Sequence, residues 1–158
     1  MKKILFLHGF ASSGHNGTAI MLREQLYADG VTVIAPDIPV MPAEAMPFLR
    51  RLVADEAPDL IVTASMGGLY GEQLRGIPRI LINPAFTMAK NLTFGGMGHR
   101  EFFNKRQDGA KEFKVDRAMI DQFRDIEKQL FKGITTEEKA LVWGLFGAHD
   151  KRVNHQKD

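Results

Sequence analysis

Short apolar runs alternate with stretches of helical spacing along this chain, and that rhythm restricts the fold more than any other feature. Lys3–Leu7 is an apolar run that stops at His8-Gly9. Thr18–Ala28 carries Ile20, Leu22, Leu26 and Tyr27 near helical spacing and closes on Asp29-Gly30. Val31–Ala35 is β-branched and apolar, and Pro36-Asp37 ends it. A helix is expected over Ala43–Ala57, a buried strand over Leu60–Val62 and a helix over Met66–Leu74. A strand is expected over Arg79–Ile82, a helix over Val115–Phe131 and a last strand over Ala140–Phe146. Strands and helices joined by short connections predict a three-layer α/β/α domain with a mostly parallel sheet. One domain over 1–158 accommodates them all, with Phe86–Lys114 as an aperiodic, glycine- and phenylalanine-rich excursion.

Composition removes several function classes. Cysteine is absent, so disulfides, thiolate catalysis and cysteine zinc sites are excluded. The net charge of +2 is interspersed along the chain, which makes nucleic acid a poor partner. Lys105, Arg106, Lys111 and Lys114 form the densest basic stretch, and the interrupting acidic residues suggest a solvated loop. The apolar N-terminal run is shorter than a secretory signal, and no window is long enough to span a membrane. The expectation is a soluble cytoplasmic protein that binds neither membrane nor nucleic acid.

In an open parallel sheet, ligands bind beyond the carboxyl ends of the strands. The residues there are His8-Gly9-Phe10, Asp37, Ser65-Met66-Gly67, Asn83-Pro84 and Asp150. Ser65 stands where an apolar strand turns into a helix, as the serine of a Gly-x-Ser-x-Gly nucleophile elbow does. Here the sequence is Thr63-Ala64-Ser65-Met66-Gly67. The second glycine is present and Gly68 follows it, but Thr63 occupies the first glycine position. The bland alternative is a serine that only caps the helix.

An acyl-transfer serine needs donors for the oxyanion. The backbone N–H groups of Phe10, after the first strand, and Met66, after the serine, are the candidates. His8 reads as a structural brace of that loop. Gly9–Gly14 has the outer spacing of a P-loop, but His15-Asn16 replaces the required Lys-Ser/Thr, so nucleotide binding is disfavoured.

Asp150 follows the last strand in Gly147-Ala-His-Asp150 and suits the acid that orients a catalytic imidazole. The rival reading is a turn aspartate. Asp37, flanked by Pro36 and Pro39, reads as a turn residue. No histidine stands where the base should follow. His155 lies downstream of Asp150 on an expected solvated segment, and His15 and His99 lie on loops. Leu141–Phe146 is apolar on both faces, as interior strands are. From this a final strand, a base histidine and a closing helix are expected to be missing from the chain.

These motifs together resemble the YqiA-like esterases, small bacterial α/β hydrolases with a reduced cap. The resemblance is carried by Leu-His-Gly-Phe-Ala-Ser-Ser near the N-terminus, Ser-Met-Gly-Gly at the elbow, Asn-Pro-Ala after the fourth strand and Gly-x-x-Asp near the end. It spans nearly the whole chain but lacks the family's C-terminal portion. It implies an α/β-hydrolase fold and hydrolysis of small acyl esters or thioesters, with Ser65 as nucleophile, Asp150 as acid and Phe10 and Met66 as oxyanion donors. No metal and no cofactor are implied, and the family's histidine has no counterpart here. Phe86, Phe94, Phe102 and Phe103 of the excursion either line an acyl pocket or pin a long loop. The rival from another class is a non-catalytic binding or scaffold protein on the same fold, motivated by Thr63 and the missing base.

Overall fold

The structure, a computed structural model, describes residues 2–148. The strands are β1 (Lys2–Leu7), β2 (Val31–Ile34), β3 (Leu60–Ala64), β4 (Arg79–Ile82), β5 (Gly98–Glu101), β6 (Glu112–Val115) and β7 (Val142–Leu145). The helices are α1 (Gly17–Tyr27), α2 (Pro42–Glu56), α3 (Met66–Gln73), α4 (Met88–Gly95), α5 (Arg117–Glu127) and α6 (Thr136–Ala140). Five strands form one parallel sheet in the order β2-β1-β3-β4-β7, while β5 and β6 form a separate antiparallel hairpin. The fold is the expected three-layer α/β architecture.

Strand periodicity divides the core. On one face Leu5, Leu7 and Ile61 pack with Leu49 of α2, Leu69 and Tyr70 of α3, and residues of α4 and α5. On the other face Phe6, Val33 and Val62 pack against Ala19, Leu22 and Leu26 of α1. Successive side chains of a strand point to opposite faces, so the apolar run of β1 feeds both layers.

Several boundaries differ from the expectations, and the helix expected to reach Phe131 ends at Glu127. Val115 belongs to β6 rather than to the following helix, because the Asp116 side chain accepts the Met119 N–H and starts α5 at Arg117. The excursion is not irregular throughout, since α4 and the β5–β6 hairpin lie within it. Ala140 ends a short helix instead of opening a strand. Thr135 caps that helix, and Glu138 reaches from it to the fully buried Arg79 at 2.9 Å and to the Gly76 N–H at 2.7 Å.

Among the described residues β7 pairs with β4 and forms the outer strand of the sheet. Trp143, Leu145 and Phe146 are each about half exposed there.

Candidate functional site

The carboxyl ends of β1, β3 and β4 converge on Ser65. The serine is the N-cap of α3 with φ 52° and ψ −118°, a backbone state that costs a non-glycine residue on the order of 1–3 kcal/mol. Hydrogen bonds hold it there. Its N–H donates to Ile82 O at 3.0 Å, and its C=O accepts from the N–H groups of Gly68 and Ala85, both at 2.9 Å. The side chain is half-buried at the head of the helix. Met66, the first residue of α3, has an N–H with no acceptor inside the helix, as for any first-turn donor.

Close approach explains the glycines of the turn. A Cβ on Gly67 would stand 2.2 Å from Leu7 O, so α3 crosses the end of β1 only without a side chain there. A Cβ on Gly9 would stand 3.4 Å from Ser65 Cβ and 3.8 Å from Ser65 Oγ. The backbone of the β1 loop therefore faces the serine hydroxyl directly. Thr63 is fully buried, and its Oγ1 donates to Ile80 O at 3.4 Å. Room for it comes from α3, where Gly71 presents no side chain to it, while Gly68 leaves room for Pro84.

His8 organises the β1 loop. It is 2% exposed, its Nε2 accepts the Ile38 N–H at 3.0 Å, and its Nδ1 lies 2.8 Å from Gly9 O. An Nε2 that accepts places the proton of the neutral ring on Nδ1, which then donates to Gly9 O. Burial foremost, together with the Arg106 charge, pushes the imidazole below the ordinary histidine range against the opposing pull of Gly9 O and Asp37. Phe10 is held edge-on by Phe113 at 5.2 Å and by Phe123 at 6.3 Å. Beneath this loop, Phe10, Met66, Val40 and Phe113 border a cavity of only about 10 Å³.

Asp37 serves the loops, as a turn residue does. Its two carboxylate oxygens accept the Gly14 N–H at 2.8 Å and the Gln107 N–H at 2.6 Å. Asn83 follows β4, and no sequence motif gives it a role. It adopts φ 42°, its N–H donates to Leu145 O at 2.8 Å, and its Oδ1 accepts the Gly147 N–H at 2.6 Å. The β4 turn thus holds Ser65 through Ala85 and the segment that leads toward Asp150 through Asn83. Asp150 and His155 themselves lie outside the described residues. His99 is on β5, exposed, with Nδ1 3.8 Å from Glu112 Oε1, and His15 is exposed just before α1.

One expectation about the excursion is corrected. Arg106 is not part of a solvated basic loop: it is 5% exposed, bonded to Asp108, stacked 4.6 Å over Phe102 and directed at Ile38 O. Lys105, Lys111 and Lys114 are exposed. The four phenylalanines do not converge on one pocket. Phe94 and Phe103 are 82% and 75% exposed, Phe86 packs on Phe131, and Phe102 packs on Phe113.

The profile of one protein family matches residues 3–158. The chain belongs to UPF0227, an uncharacterised protein family. This bears out the grouping with the YqiA-like esterases. The UPF0227 chain is also similar in fold to solved α/β-hydrolase structures. Est1E from Butyrivibrio proteoclasticus aligns with a TM-score of 0.61 at 16% identity, over 98% of this chain and 70% of that one. Est1E with ferulic acid bound aligns at 0.52 and 16%, over 81% and 61%. A variant of tomato methylketone synthase I complexed with β-ketoheptanoate aligns at 0.57 and 12%, over 92% and 77%. The UPF0227 chain spans from about half to three quarters of the length of the solved structures it matches. No helix among its described residues is long and apolar enough to cross a membrane.

Proposed function

We propose that this chain carries the nucleophile and oxyanion machinery of an esterase-type serine hydrolase that cleaves small acyl esters or thioesters. The observation that carries the reading is the strained Ser65 backbone at the strand–helix junction, with the Gly9 backbone opposite its hydroxyl. A strained non-glycine residue at such a junction persists only where its surroundings over-determine it. The positive end of α3 beneath the serine favours negative charge developing above it.

In the proposed reaction Ser65 Oγ attacks the acyl carbon and gives its proton to a histidine base. The carbonyl oxygen becomes an oxyanion held by the N–H groups of Phe10 and Met66. Collapse expels the alcohol or thiol, which takes the proton from the imidazolium and leaves an acyl-serine. Water, deprotonated by the same base, then releases the acid. Asp150 is the candidate to orient the imidazole. The base itself is assigned to none of the histidines of this chain. This chemistry moves protons and an acyl group and requires no metal or redox cofactor. The ferulic acid of Est1E and the β-ketoheptanoate of the tomato enzyme are both carboxylic acids, which suits a site that receives an acyl group. The rival binding-protein reading loses one of its two supports, because Gly71 accommodates Thr63.

Intact mass before and after treatment with a fluorophosphonate probe tests the reading. One adduct on the wild-type chain and none on Ser65→Ala is expected. An equal adduct on Ser65→Ala, or none on either chain, overturns it for this protein.

A further inference from the structure

We propose that Arg106 is a positioning residue, whose guanidinium acts through Ile38 and His8 to set the Gly9–Phe10 peptide and makes the excursion a working part of the oxyanion site. The inference rests on the hydrolase reading above. The Ile38 backbone is gripped from both sides. Its C=O accepts from Arg106 Nη1 and Nη2, each at 3.3 Å, and its N–H donates to His8 Nε2 at 3.0 Å. The same imidazole holds Gly9 O at 2.8 Å through Nδ1. Within a trans peptide the C=O of one residue and the N–H of the next point in opposite directions. Anchoring Gly9 O on His8 therefore turns the Phe10 N–H away from His8 and fixes its direction.

Arg106 also reaches Phe10 by a second route. Its guanidinium lies over Phe102, Phe102 packs on Phe113 at 4.7 Å, and Phe113 meets the Phe10 ring at 5.2 Å. Simple attachment of the excursion does not depend on this residue. The Phe103 N–H donates to Ala11 O, Ser12 Oγ donates to Asn104 Oδ1, and the Gln107 N–H donates to Asp37 Oδ2. Those bonds hold the excursion to the same two loops when the guanidinium is removed. What they do not supply is a donor to Ile38 O, and that is the task left to Arg106.

The test compares wild type, Arg106→Met, which keeps the apolar stem, and Arg106→Lys, which restores one donor and the charge. All three are used under conditions where circular dichroism shows them folded. Amide hydrogen exchange at Ile38 and the ¹⁵N shifts of the His8 ring report the relay without any turnover. Fluorophosphonate labelling separates the maximal inactivation rate from probe affinity. Arg106→Met is expected to speed Ile38 exchange about tenfold or more and to disturb the His8 tautomer. Its maximal labelling rate is expected to fall about tenfold, a part of the hundredfold or more that loss of an oxyanion donor costs. Probe affinity stays within about threefold, and Arg106→Lys recovers part of both effects. Wild-type exchange and tautomer in Arg106→Met overturn the proposal, as does a labelling loss that lies entirely in affinity. If the wild type is never labelled, the hydrolase reading fails, and exchange and tautomer still decide whether Arg106 governs His8.

Discussion

The Thr63 methyl group fills the space that a side chain on Gly71 would need: a Cβ at position 71 would stand 2.5 Å from Thr63 Cγ2. The glycine absent from the strand side of the elbow is balanced by a glycine in the second turn of α3. Strand and helix approach closely at this junction, so their combined volume matters more than which of the two carries the atoms.

That balance predicts an inverted glycine-to-alanine effect. In an exposed helix interior Gly→Ala stabilises by roughly 1 kcal/mol. At Gly71 overpacking against a fully buried threonine opposes the gain at about 1–3 kcal/mol and wins. Gly71→Ala is expected to lower the urea midpoint, and Thr63→Ala in the same background is expected to raise it again. A raised midpoint for Gly71→Ala alone contradicts this packing.

Ser65 trades stability for its position. Its φ of 52° is one that glycine adopts freely, so Ser65→Gly is expected to stabilise the fold by about 1 kcal/mol. Ser65→Ala keeps the Cβ and is expected to gain nothing comparable. Both variants lose the fluorophosphonate adduct. Equal midpoints for the glycine and alanine variants count against strain at the serine.

His8 predicts a pH dependence of stability. Its folded pKa lies below the ordinary value of about 6.5, so below that pH the unfolded chain binds a proton that the folded chain does not. Stability is lost as the pH falls from about 7 through the folded pKa. The slope is at most about 1.4 kcal/mol per pH unit for one proton. Arg106 and Asp37 are the charged groups that act on the ring, in opposite directions. Urea midpoints of wild type and His8→Gln between pH 7 and 5 provide the measurement. The difference between them should shrink with falling pH, and a constant difference removes His8 from the effect.

Local signals carried most of the sheet. Arg79–Ile82 is a strand at the expected residues, and β1, β2 and β3 match to within two residues at each end, because a buried parallel strand shows as an apolar run bounded by breakers. The excursion resisted such reading. The hairpin strands β5 and β6 are short and carry His99, Arg100, Glu101, Glu112 and Lys114, so no apolar period marks them. Their pairing is an antiparallel ladder between residues separated by a long loop, a relation that no local window contains.

By itself the sequence determined the alternation of elements, hence a parallel α/β sheet, and the placing of Ser65, Phe10 and Met66 at strand ends. Those properties follow from side-chain periodicity and turn chemistry, which act over a few residues. Only the tertiary structure decided that Thr63 fits, that Arg106 is buried and that His8 joins Ile38 to Gly9. Each of these depends on atoms from segments remote in sequence meeting within bonding or van der Waals distance. Burial then alters the chemistry: the arginine that reads as a solvated surface charge becomes a fixed donor to a backbone carbonyl once Phe102, Asp108 and Ile38 enclose it.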